Sequence, residues 1–192
     1  LCFAEKELFL TQLRAALRAS AYGPLQIMFP MVGSLEDIRK AKEYLNLAKE
    51  QLKERKQQFD EQIRIGIMIE IPAIALIADL AAEEVDFASI GSNDLTQYLS
   101  AADRMNPEVA AYYKSDSTAM LRLLGFVFRE FSKREKEISV CGEMAGNPET
   151  AQLLVGLGAR KLSMSSGNIA GVKAKLAECT LQELTALAEK KL

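Results

Sequence analysis

Glu70 closes the apolar run Ile65-Gly66-Ile67-Met68-Ile69 and is followed at once by Ile71-Pro72. The run reads as a strand buried on both faces, and a carboxylate at its end is costly to desolvate unless it meets a cation or hydrogen-bond donors. Asp94 ends a second such segment, Ile90-Gly91-Ser92-Asn93-Asp94. Two carboxylates at the ends of adjacent strands, with space for water and a phosphate, offer the oxygen ligands that a magnesium ion (Mg2+) takes. The same residues admit a plainer reading, in which Asp94 merely starts a helix and Glu70 pairs with a lysine.

Asn93 reads either as a turn residue or N-cap, or as an amide that orients a substrate carboxylate beside the metal. Arg104, in Asp103-Arg104-Met105-Asn106, is expected at the end of a helix, where a cation complements the helix dipole; its functional reading is a fork for a phosphate or carboxylate. Cys141 ends a strand ahead of Gly142-Glu143 and Ala145-Gly146-Asn147, a glycine-punctuated loop that leaves its sulfur facing the mouth of a site. The plainer reading makes it a small packing residue. Cys2 and Cys179 read as structural. The chain has no histidine, which removes Ser-His-Asp and Cys-His catalysis, histidine metal ligands and any phosphohistidine acceptor within it.

Leu8, Phe9, Leu13, Ala16 and Leu17 recur at helical spacing, predicting an amphipathic helix over 5–20 that a turn at Gly23-Pro24 closes. Ser34 followed by Asp37 marks the start of a polar helix reaching to about Lys56. Further helices are expected over 73–84, 93–101, 117–134, 148–157, 170–176 and 181–190. Strands are expected over 25–31, 64–69, 87–90, 138–141 and 162–164. Five short apolar strands alternating with helices predict an α/β fold with a parallel sheet. No Rossmann glycine fingerprint follows any of them.

Polar residues gather just past the carboxyl ends of these strands: Pro30-Met31, Glu70, Ser92-Asn93-Asp94, Cys141-Gly142-Glu143 and Ser163 to Ser166. In a (β/α)8 barrel those ends converge on one face, where active sites are built. Five strands are too few to close such a barrel. The expectation is therefore the later portion of a (β/α)8 TIM-type barrel, with residues 1–192 forming one partial barrel domain. The chain starts at Leu1 without an initiator methionine, which suggests that it begins inside a longer gene product.

With 49% hydrophobic residues the chain can bury a substantial core, and 24 Lys and Arg against 26 Asp and Glu are interspersed for a net charge of -2. That balance argues against a nucleic-acid or anionic-membrane surface. Three scattered cysteines make no disulfide scaffold and no zinc motif, which points to a reducing, cytoplasmic setting. The apolar runs are too short for membrane insertion.

Five strings, taken in order, resemble a known family: Thr11-Gln12-Leu13-Arg14-Ala15, Ile27-Met28-Phe29-Pro30-Met31, Ile69-Glu70-Ile71-Pro72-Ala73, Ser89-Ile90-Gly91-Ser92-Asn93-Asp94-Leu95-Thr96-Gln97-Tyr98 and Cys141-Gly142-Glu143-Met144-Ala145-Gly146. They are similar to the phosphoenolpyruvate-binding C-terminal domain of enzyme I of the bacterial sugar phosphotransferase system, the phosphoenolpyruvate-protein phosphotransferases. The resemblance implies that Glu70 and Asp94 are magnesium ligands, that Asn93 and Arg104 contact the substrate, and that Cys141 protonates the enolate of pyruvate. It further implies transfer of the phosphoryl group from phosphoenolpyruvate to a histidine on a separate N-terminal domain, which passes it to a small phosphocarrier protein. A homodimer is expected, since an unclosed barrel exposes two strand edges.

The Asn-Asp-Leu-Thr-Gln and Cys-Gly-Glu elements also resemble pyruvate phosphate dikinase and phosphoenolpyruvate synthase, which stand as alternatives. A diverged, non-catalytic regulatory or dimerisation module is a third. Two departures bear on these readings. Gln26 stands where the family has a phosphate-holding arginine, and Ser117-Thr118 stands where it has His-Pro. A glutamine loses the charge-assisted bidentate contact, so weak phosphoenolpyruvate affinity is expected.

Overall fold

The computed structural model describes residues 2–192. Four strands, β1 (Gln26–Phe29), β2 (Arg64–Ile69), β3 (Phe87–Gly91) and β4 (Glu137–Cys141), form one parallel sheet in the order β1-β2-β3-β4. Ile69 pairs with Ile90, and Gly91 with Cys141, so Glu70, Gly91 and Cys141 come to adjacent positions along the carboxyl edge.

Alternation along the strands sends one set of side chains to each face. Ile27, Phe29, Ile67, Ile69, Ile90 and Val140 enter a single apolar core with the helices. Helices α1 (Lys6–Ala19), α2 (Leu35–Glu54), α3 (Pro72–Leu76), α4 (Ala78–Glu84) and α5 (Ser92–Ser100) come first. They are followed by α6 (Thr118–Lys133), α7 (Glu143–Gly146), α8 (Pro148–Leu157), α9 (Ser166–Ala177) and α10 (Leu181–Glu189). The crossover helices touch as neighbours in the sequence α1, α2, α4, α6, α8, the same order as the strands. The opposite face of the sheet, carrying Gln26, Met28, Met68, Ser139 and Cys141, lines an open trough of about 690 Å³.

The helix starts expected at Ser34 and Ser117 hold, whereas the helix expected over 170–176 begins earlier, at Ser166. Ser34 accepts the Asp37 N–H while Asp37 accepts the Ser34 N–H, a reciprocal cap on α2. Ser117, one of the two departures noted above, accepts the Met120 N–H at 3.3 Å and so caps α6.

Three expectations are corrected. The fifth strand is only a bridge between Leu162 and Val140, because the chain turns into α9 at Ser166. The helix over 73–84 is two helices that part at Ile77, whose φ of -115° and ψ of 33° leave the helical region. Residues 143–146, expected as loop, form the short α7. Among the described residues no helix is long and apolar enough to cross a membrane.

Candidate active site

Glu70 is 3% exposed, and its Oε1 accepts the backbone N–H of Met31 at 2.7 Å. Met31 presents that N–H from a left-handed conformation, φ 54°, which a residue with a Cβ rarely adopts. Burial pushes the Glu70 carboxyl above its usual range; the Met31 N–H opposes the rise, and the neighbouring Asp94 charge adds to it. Among the described residues no lysine or arginine pairs with Glu70, so the plainer reading, a lysine pair, is set aside. The carboxylate has room because its neighbour on β3 is a glycine: a Cβ on Gly91 would stand 2.8 Å from Glu70 Oε2.

The turn from β3 into α5 supplies the next group. Ser92 is fully buried and donates its hydroxyl to the Cys141 carbonyl at 2.7 Å, tying the ends of β3 and β4 together. Asn93 Oδ1 accepts the Glu143 N–H at 3.0 Å, leaving the Nδ2 end of the amide as a donor. Gly142 permits this approach, since it has φ 99° and a Cβ there would come within 2.8 Å of Asn93 Oδ1. Asp94 lies in the first turn of α5, 3.9 Å from the Arg104 guanidinium.

Arg104 does not sit in the last turn of a helix as expected: α5 ends at Ser100, and Arg104 lies on the loop beyond it. There it faces Asp94. Burial raises the pKa of Tyr113 on the same loop, the Glu143 charge adds to the rise and the Arg104 charge opposes it. Tyr113 donates its hydroxyl to the Asn93 carbonyl at 3.1 Å. Sequence reasoning missed Tyr113, which is remote from the motifs in the chain and carries no motif of its own.

The Cys141 thiol donates to the Ile90 carbonyl at 3.4 Å and lines the trough with Ser163 and Met164. Gln26 lines the same trough but from the first position of β1, at the amino end of the sheet and opposite Glu70. Glu70, Asn93, Asp94 and Arg104 thus gather at the carboxyl edge, and Cys141 closes that edge on β4. Among the described residues no cluster of three or more His, Cys, Asp and Glu side chains could hold a metal alone. Two carboxylates fit a magnesium ion that keeps water and substrate oxygens as its other ligands.

A family model described as PEP-utilising enzyme, PEP-binding domain, matches residues 1–181. The phosphoenolpyruvate-protein phosphotransferase of Listeria monocytogenes is 46% identical over 192 residues, covering 100% of this chain and 34% of that protein. The protein of the same name from Bacillus subtilis is 45% identical over 190 residues, covering 99% of this chain and 33% of the relative. Multiphosphoryl transfer protein 2 of Escherichia coli is 48% identical over 176 residues, covering 92% of this chain and 21% of that protein. The chain thus spans about a third of the length of the first two.

Proposed function

Because the chain belongs to the PEP-utilising enzymes, matching their PEP-binding domain, we propose that it binds phosphoenolpyruvate at the carboxyl edge of β2, β3 and β4 and serves transfer of the phosphoryl group to a histidine on another domain. The observation that carries this reading is Glu70, a buried carboxylate with no counter-cation among the described residues, set beside Asp94. Two like charges held together in a partly dry site are stabilised when a divalent cation joins them. Magnesium would be held by Glu70 and Asp94 and would supply neutralising charge for the phosphate oxygens.

The side chains divide the remaining work. Asn93 Nδ2, left over from the bond that Oδ1 makes, donates to a substrate carboxylate or phosphate oxygen. Arg104 draws its guanidinium from the pairing with Asp94 onto the transferring phosphoryl group, whose transition state needs positioning and charge compensation more than covalent help. Transfer leaves the enolate of pyruvate. Cys141 gives its thiol proton to the methylene carbon, making pyruvate and leaving a thiolate that solvent reprotonates.

The sheet fits this reading as part of a (β/α)8 barrel. Strand and helix orders run in parallel, the helices cover one face, and the other face lines the trough that the remaining strands would enclose. The phosphorylated histidine and the phosphocarrier that discharges it lie, on this reading, in other domains or chains. Calorimetry on the full-length polypeptide tests the site. Glu70→Ala and Asp94→Ala should each abolish the magnesium dependence of phosphoenolpyruvate binding, and unchanged metal-dependent binding in both variants would sink the proposal.

A further inference from the structure

The loop between α5 and α6 has one polar attachment to the candidate site that neither the motifs nor the proposed chemistry uses. Tyr113 leaves the short 3-10 turn Pro107–Tyr112 and returns its side chain to the start of α5, where the hydroxyl donates to the Asn93 carbonyl at 3.1 Å. The same loop carries Arg104, whose guanidinium lies 3.9 Å from Asp94 and whose charge opposes the rise that burial imposes on the Tyr113 pKa. Arg104 itself is substantially exposed, 40% for its side chain, and its backbone N–H bond to Gln97 Oε1 is long at 3.3 Å. A flexible side chain on an exposed loop loses rotamer and backbone freedom when it grips an anion. An anchor that fixes the loop beforehand lowers that cost.

We infer that Tyr113 is a positioning residue for substrate binding, whose hydroxyl pins the loop to the Asn93 carbonyl and so holds Arg104 in place over Asp94. The inference rests on the proposed phosphoenolpyruvate site. Asn93 is held from two sides: Glu143 bonds its side chain and Tyr113 its backbone, so both donors aimed at the substrate, Asn93 Nδ2 and Arg104, depend on the same short segment. Tyr113 touches no reacting atom, and its loss acts on binding and not on the chemical step.

Tyr113→Phe in the full-length polypeptide removes the hydroxyl alone. The KM for phosphoenolpyruvate should rise roughly five- to tenfold, the scale of one neutral hydrogen bond, while kcat falls less than about twofold and the melting temperature stays put. In an Arg104→Lys background the same substitution should add little, because the group being positioned has already lost its fork. Hydrogen exchange on the unmutated protein gives a second reading: phosphoenolpyruvate with magnesium should protect residues 101–117. An unchanged KM, an effect of equal size in the Arg104→Lys background, or no protection of that segment overturns the role of Tyr113 while leaving the site itself standing. An unmutated protein that neither binds nor turns over phosphoenolpyruvate overturns the functional reading first.

Discussion

The Glu70 carboxylate occupies the space that a side chain on Gly91 would fill, with its Oε2 only 2.8 Å from where a Cβ would stand. Glu70 follows the last residue of β2 and Gly91 ends the neighbouring β3, and the missing side chain at Gly91 leaves room for the carboxylate at the sheet edge near Asp94.

Gly91→Ala should therefore displace Glu70. The added methyl meets Glu70 Oε2, Glu70 Cβ and Met68 Sδ all within 3.0 Å, so the site cannot absorb it by one rotamer change. A stability loss of about 1–3 kcal/mol is expected for such overpacking. Magnesium affinity should fall by at least about tenfold, since an ion with near-ideal octahedral demands tolerates little ligand displacement. Magnesium titration of a folded Gly91→Ala protein that matches the parent would show that Glu70 is not a ligand.

Glu70 should also cost the metal-free protein stability. Burial raises its carboxyl pKa, with Asp94 adding to the rise and the Met31 N–H opposing it. Above the ordinary carboxylate range the unfolded chain has given up this proton while the folded chain still holds it, so folding stability falls as pH rises through that window. Glu70→Gln keeps an acceptor for the Met31 N–H and removes the titration. Without magnesium the variant should melt higher than the parent near pH 8, and the advantage should vanish by about pH 4. Added magnesium should stabilise the parent and leave the variant unmoved. A variant that melts lower at both pH values would mean that the carboxylate is satisfied in the apo protein.

Strands β1 to β4 are legible from the chain because each is an apolar run that stops at Pro30, Glu70, Ser92 or Gly142, and the site residues lie at or next to those stops. What the chain conceals is contact between distant segments. Tyr113 meets Asn93 only because a loop folds back over α5, and no periodicity announces that return. The break at Ile77 has neither Gly nor Pro to mark it. The sequence leaves open whether Glu70 partners a lysine, because it shows a buried carboxylate but not the company it keeps. Gln26 is a similar case: its lost charge is visible in the sequence, whereas its position at the amino end of β1, away from Glu70 at the carboxyl edge, is a matter of strand register.

Cys141 separates the two chemical steps. Its thiol has one hydrogen bond, to the Ile90 carbonyl, and its backbone is held independently by the Ser92 hydroxyl, so removing the sulfur should leave the strand end in place. Cys141→Ala keeps Glu70, Asn93, Asp94 and Arg104, and phosphoenolpyruvate should bind and phosphorylate the acceptor histidine in the full-length polypeptide. Protonation of the enolate then lacks its donor. Overall turnover should fall by about 10²–10⁴-fold, the range for a lost general acid. Cys141→Ser is the stricter probe, since a hydroxyl can still donate to Ile90 yet is a far weaker acid than a thiol. Exchange of the pyruvate methyl protons with heavy water, catalysed by the parent, should be lost in both variants while magnesium-dependent substrate binding persists. If either variant exchanges those protons at the parent rate, the proton comes from another group, and the sulfur of Cys141 is only a small filler on the inner face of β4.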